Sequence, residues 1–144
     1  MHTKPVPDGH QRVMPYLFYA DVAASLQFLV DAFGFAIRSV HKLPNGKIVN
    51  AQASIGDAVV MMGPAQRQFG FASPETLPAL HCGIVAYVDD VDAHCARARA
   101  AGAKIEREPA DQDYGVREYT ARDREGNQWF FWTALGDTGR TPAA

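Results

Sequence analysis

The stretch "MPYLFYADVAASLQFLVDAFGF" and the later "HCGIVAYVDDVDAHCARARAAGA" follow one plan: an apolar strand, an Asp, a helix and a glycine. Asp21-Val22 and Asp90-Val91 stand 69 residues apart, and at that shift Val22, Leu26 and Leu29 fall on Val91, Cys95 and Ala98. Those are i, i+4 and i+7 positions, one face of a helix. Asp21 and Asp90 stand where an N-cap side chain accepts from the first free amides, and Gly34 and Gly102 where a left-handed residue ends a helix. Three strand candidates follow each helix, at 35–43, 47–55 and 57–63 and again at 104–110, 116–123 and 127–133. Asn45-Gly46 is a strong hairpin signal between the first pair. The turn "IGD" at 55–57 matches "REGN" at 124–127, with Gly56 falling on Gly126 at a shift of 70. Each half reads βαβββ, and a duplication of this kind limits the fold more than any other feature of the chain.

One βαβββ unit cannot cover both faces of its strands. Two can, if their sheets curve together around a hollow with the helices outside. The predicted class is therefore α+β: two tandem βαβββ modules forming a curved mixed sheet around a concave cavity, helices on the outer face. The expected division is a flexible lead-in at 1–12, a single domain at 13–135 and a flexible tail at 136–144. Within the domain, module one is 13–64, a linker or flap 65–79, and module two 80–135. The apolar face of the second helix, Val91, Cys95, Ala98 and Ala101, is made of small residues that allow close approach. The strand "NQWFFWT" is apolar on both faces, which requires both to be covered; by period two, Trp129 and Phe131 share one face and Gln128, Phe130 and Trp132 the other.

Composition excludes several classes of function. A net charge of −2, with Lys and Arg scattered among the acids, lacks the basic face of a nucleic-acid binder. No apolar run approaches the roughly 20 residues of a membrane span, and the N-terminus shows no signal-peptide core. Cys82 and Cys95 read as reduced thiols, and the expected compartment is the cytoplasm. No phosphate-binding loop, Ser-His-Asp set or Cys-x-x-Cys is present.

The doubled pattern, the run "FYADVAASLQFLVDAFGF" and the closing "YTARDREGNQWFFW" resemble the glyoxalase, bleomycin-resistance and extradiol-dioxygenase superfamily, the vicinal-oxygen-chelate group, over about residues 13–135. The resemblance implies a concave site on the sheet and a homodimer. It also implies a divalent metal held by His, Gln or Glu early in each module's first strand and within each module's last strand. Carried onto this chain, those positions fall on Met14, His81, Val60 and Phe130. Only His81 suits a hard or borderline ion, and a slip of one residue brings in Val13, Pro15, Trp129 or Phe131, none of them a ligand. The reading is therefore no metal and no cofactor, the divalent metal being the alternative.

What stands in place of the chelate is aromatic. Tyr16, Phe18, Met62, Tyr87, Phe130 and Trp132 are expected on cavity-facing positions, and with Met14, His81 and Glu118 they make up the expected ligand-binding set. Singly each is ordinary core; together they describe walls suited to a planar guest. His81 reads equally as a strand-start histidine bonded by backbone and as a polar contact to the guest. Glu118 reads first as a solvated hairpin charge. Comparison with fosfomycin-resistance members of the superfamily implies instead that Glu118 and Thr120 face the cavity, with Arg117 and Tyr119 outward. His81 and Glu118 would then form a proton-transfer pair, the weak catalytic candidates, or Glu118 would orient a cationic ligand. The preferred function is binding of a small, partly aromatic molecule without a metal, as in the bleomycin-resistance branch. The alternative is a metal-dependent lyase, isomerase or dioxygenase with a rearranged ligand set. A third possibility is an interaction domain whose hollow is packed solid.

Overall fold

The computed structural model describes residues 3–136. Module one runs β1 (Tyr16–Tyr19), α1 (Val22–Phe33), β2 (Ala36–Lys42), β3 (Ile48–Ile55) and β4 (Ala58–Pro64); module two runs β5 (Ile84–Tyr87), α2 (Val91–Ala100), β6 (Lys104–Asp111), β7 (Val116–Arg122) and β8 (Gln128–Ala134). This is the tandem βαβββ fold with curved mixed sheets. The strands form two four-stranded sheets, ordered β1-β4-β3-β2 and β5-β8-β7-β6, rather than one continuous sheet. In each, the first and last strands of the module pair in parallel and the others are antiparallel.

Local chemistry sets the element ends. The Asp21 carboxylate accepts from the Ala24 amide at 3.0 Å, and that of Asp90 from the Asp92 and Ala93 amides at 2.9 and 3.3 Å. Gly34, at φ 75°, ends α1 in the left-handed conformation that a Cβ disfavours. At Asn45-Gly46 the Lys47 amide donates to Asn45 Oδ1, and Gly46 takes φ 85° to close the β2–β3 hairpin.

The two helices pack against each other, α1 on the strands of module one and α2 on those of module two. Val22, Leu26, Leu29 and Phe33 of α1 and Val91, Cys95 and Ala98 of α2 are buried in one core with Leu17, Tyr19, Met62, Ala86, Tyr119, Trp129 and Phe131 from the strands. Ala101, expected on the α2 face, lies past its end and is exposed. The small α2 side chains let Phe33 of α1 reach across to Phe131 and Trp129 of the second sheet, with ring centroids 4.8 and 5.7 Å away. His94 of α2 closes the joint: its Nε2–H donates to the Phe33 carbonyl at 2.7 Å, and the Tyr119 hydroxyl donates to its Nδ1.

Two buried acids lock the modules together. Asp123 accepts from the Tyr19 hydroxyl at 2.6 Å, from Trp129 Nε1 at 3.1 Å and from the amides of its own turn. Glu125 accepts from the Ala20 and Asp21 amides and from the Ser25 and Ser73 hydroxyls. A carboxylate from module two thus serves the α1 N-terminus, where the free amides and the dipole both favour negative charge. The module-one partners of these two acids lie about a hundred residues away in the sequence.

Candidate functional site

Each sheet turns one face to the helices and leaves the other uncovered by them. Strand alternation carries Leu17, Tyr19, Ala86, Tyr119, Trp129 and Phe131 into the core. It therefore brings Tyr16, Phe18, Tyr87, Glu118, Thr120, Phe130 and Trp132 onto the far faces. The core faces of both sheets join one buried cluster with the helices, and each far face lies on the side of its sheet away from that cluster. Tyr16 is 45% exposed on the module-one face, and Tyr87 and Val85, two residues apart on β5, are 55% and 48% exposed on the module-two face.

On the module-one face, Tyr16 lies across Gly63, where a Cβ would come within 2.6 Å of the tyrosine oxygen. Phe18 stacks on Phe71 of the linker, with centroids 4.1 Å apart and planes 7° from parallel. Tyr16, Phe18, Ala72, Leu77, His81 and Cys82 help line a pocket of about 130 Å³. That is below the roughly 300 Å³ at which a cleft buries most of a drug-sized guest. A larger cleft of about 680 Å³ lies elsewhere, between Phe28, the end of α2 and the Arg122–Gly126 turn, lined by Lys104, Arg122 and Arg124. His81 is exposed and Met14 half-buried just ahead of β1.

On the module-two face, Glu118 is only 4% exposed. It is not the solvated hairpin charge that its place among Arg117, Asp111 and Asp113 implies. The Tyr114 hydroxyl donates to Glu118 Oε1 at 2.9 Å and the Trp132 indole to Oε2. Tyr114 and Tyr87 each place a ring 5.7 Å from that of Trp132, the second at 90°. Burial and the neighbouring carboxylate raise the Tyr114 hydroxyl above its usual pKa, so it stays a donor at neutral pH. Arg117 points to the helix side, where it pairs with Asp92 and Asp111. The buried Thr120 hydroxyl has no hydrogen-bond partner. No hydrogen bond or ion pair among the described residues joins His81 to Glu118: the one lies with the aromatic pair of module one, the other in the second sheet.

The strand register corrects two placements. Leu17 pairs with Met62 and Ala86 with Phe131, so β1 and β4 map onto β5 and β8 at a shift of 69. Ala51 pairs with Met62 and Tyr119 with Phe131, so β3 maps onto β7 at 68. The extra residue sits in the β7–β8 turn, and matching Gly56 to Gly126 slips β4 by one. One residue in a strand reverses the face. Met62 is therefore not a cavity residue: it is fully buried against the helices with Val60, and the repeat mate of Phe130 is Met61. By the same shift the counterpart of Met14 is Gly83, not His81. A Cβ at Gly83 would meet Phe130 Cε2 at 2.7 Å. The ring of Phe130 fills the space into which a side chain at 83 would project.

The divalent metal implied by the fold family does not fit these residues. Met14, Met61, Gly83 and Phe130 supply no nitrogen or oxygen donor from their side chains, and a catalytic site for such an ion needs about three. Among the described residues no group of three or more His, Cys, Asp or Glu side chains is arranged to hold a metal.

These features define a duplicated βαβββ domain with two open, aromatic-bearing sheet faces. The chain belongs to the glyoxalase/bleomycin resistance protein/dioxygenase superfamily, whose family model matches residues 10–131. An uncharacterized protein of Mycobacterium tuberculosis (strain ATCC 25618 / H37Rv) is 30% identical over 118 residues, 80% of this chain and 69% of its own. Among solved structures, TioX from Micromonospora sp. ML1 superposes with a TM-score of 0.69 at 29% identity, covering 91% of this chain and 100% of its own. TnmS3, an antibiotic binding protein from Streptomyces sp. CB03234, superposes with a TM-score of 0.64 at 21% identity, covering 84% and 93%. No helix among the described residues is long and apolar enough to cross a membrane.

Proposed function

We propose that the chain binds a small, partly aromatic molecule between aromatic walls, without a metal, in the cytoplasm, and that a second copy closes each binding cup. The observation that carries this reading is the aromatic lining of the two sheet faces that the helices leave open. Stacking on such walls contributes about 0.5–1.5 kcal/mol per well-placed ring, in addition to the area buried. The donor set supports metal independence, since neither Phe130 nor Gly83 offers a ligand atom. Each far face lies on the side of its sheet away from the buried core, and a 130 Å³ pocket does not enclose a guest. The walls that complete the cup therefore come from outside the copy, the module-one face of one chain opposite the module-two face of its partner. The fold shared with the antibiotic-binding TnmS3 supports a small organic guest.

The test is fluorescence titration of EDTA-treated protein with 1-methylnaphthalene, read by quenching of Trp132. Saturable binding at micromolar to millimolar concentration, unchanged by adding Mn²⁺, Zn²⁺ or Ni²⁺, is the expected result. Absence of binding, or binding that appears only with a divalent ion, overturns the reading. A stoichiometric first-row metal in native mass spectra would point instead to the metal-dependent enzymes of the superfamily.

A further inference from the structure

The geometry points to an organic cation as the guest of the module-two face, with Glu118 as the residue that selects for positive charge. This rests on the reading that the face takes an aromatic guest, and it names the class. Glu118 is a buried carboxylate whose hydrogen-bond partners are both neutral, the Tyr114 hydroxyl and the Trp132 indole. No Lys, Arg or His lies within ion-pair distance of it among the described residues. Arg107, the basic residue across the ladder from neighbouring Thr120, makes no ion pair with it, and Arg117 is committed to Asp92 and Asp111 on the opposite face. A carboxylate withdrawn from water without a counter-charge loses several kcal/mol of solvation. Two neutral hydrogen bonds return part of that, and each oxygen keeps room for one more donor.

The surroundings favour the same class of guest. Tyr87, Tyr114 and Trp132 group around the carboxylate, and Tyr87 and Tyr114 are 55% and 40% exposed, so the face is open to a ligand. An indole face attracts a cation, more strongly as water is excluded. The Trp132 indole N–H is turned to Glu118, which fixes the ring in the aromatic group beside the carboxylate. An aromatic cation such as an N-alkylated heterocycle thus meets flat rings and supplies the missing charge, whereas a neutral guest of the same shape gains only the rings.

The test compares two isosteric probes, 1-methylquinolinium and 1-methylnaphthalene, in wild type, Glu118→Gln and Tyr114→Phe. The readout is the ratio of their Kd values, followed through the Trp132 indole N–H resonance, with the far-ultraviolet spectrum checking the fold. Wild type is expected to prefer the cation by about tenfold or more. E118Q is expected to bring the ratio to within about threefold of one, and Y114F, which removes one neutral donor and keeps the charge, to hold or raise it. A wild-type ratio near one, or a preference that persists in E118Q, overturns the proposal while leaving aromatic binding intact. If E118Q does not fold, wild type and Y114F decide it: a ratio that falls in Y114F also overturns it. If neither probe binds wild type, aromatic binding itself fails and this proposal with it.

Discussion

At the scale of single residues, two buried polar groups carry more of the stability than their place in the sequence implies. Glu125 is 3% exposed and accepts four hydrogen bonds, three of them from module-one residues at the α1 N-terminus and one from the Ser73 hydroxyl. A glutamine there keeps one acceptor oxygen, loses the charge and turns an NH2 donor toward the remaining donors. Glu125→Gln is expected to lower unfolding free energy by about 2–4 kcal/mol, and Ser73→Ala by about 1 kcal/mol, in urea titrations. A loss below about 1 kcal/mol for E125Q would show that water serves the helix end equally well. His94 makes a prediction about pH. Burial, aided by Arg97 and opposed by the Phe33 carbonyl, lowers its pKa below the ordinary value of about 6.5. The unfolded chain then binds a proton that the folded chain refuses. Its contribution to stability is therefore fully present above about pH 6.5 and declines as pH falls below it. The urea midpoint should drop between pH 7.5 and 5.5, and less steeply in His94→Gln; an equal slope in the variant would assign the effect to other groups.

At the scale of elements, what was legible followed from local physics. The helix stripes, the Asp caps and the Asn45-Gly46 hairpin are set by neighbours within a few residues, and the structure has each of them. The faces of β4 were not legible, because one extra residue in the β7–β8 turn exchanges Met61 and Met62 between outside and core. The environments of Glu118 and Glu125 were not legible either, since a charged residue reads as solvated until its distant partners are known. The division of the strands into two four-stranded sheets escaped for a similar reason: a strand covered by helices and one covered by a second sheet show the same apolar pattern. The Gly83–Phe130 pair makes an element-scale prediction. A side chain at 83 collides with the Phe130 ring, so Gly83→Val is expected to destabilise by about 1–3 kcal/mol. That corresponds to roughly 2–10 °C in a thermal melt of a chain this size. Phe130→Ala in the same chain removes the obstructing ring, and the double variant should recover part of the loss. Failure to recover would mean that the nearby Gln128 carbonyl, 3.4 Å from the added Cβ, sets the limit instead.

At the scale of the whole molecule, the proposed closure of each cup by a second copy makes a prediction about assembly. A twofold dimer that brings the module-one face of each chain against the module-two face of the other makes two identical cups, each with Tyr16 from one chain and Tyr87 from its partner. Tyr16→Glu damages the module-one half of both cups in its homodimer, and Tyr87→Glu the module-two half of both. Each variant alone should therefore sediment as a monomer at micromolar concentration and lose 1-methylnaphthalene binding. Mixed together, the two behave differently under this pairing. In a heterodimer one cup receives both substitutions and the other receives neither, because the intact module two of the first chain meets the intact module one of the second. The equimolar mixture should regain dimer, with up to one binding site per two chains. Pairing of like modules, one with one and two with two, would leave each variant alone with one unsubstituted pair, so neither would become monomeric and mixing would add nothing. Cups formed within one copy would also give no rescue, since each variant carries its own damaged wall. Sedimentation equilibrium and probe titration of each variant and of the mixture therefore separate the three arrangements, and recovery of about half the wild-type sites on mixing is the outcome required by unlike modules paired between copies.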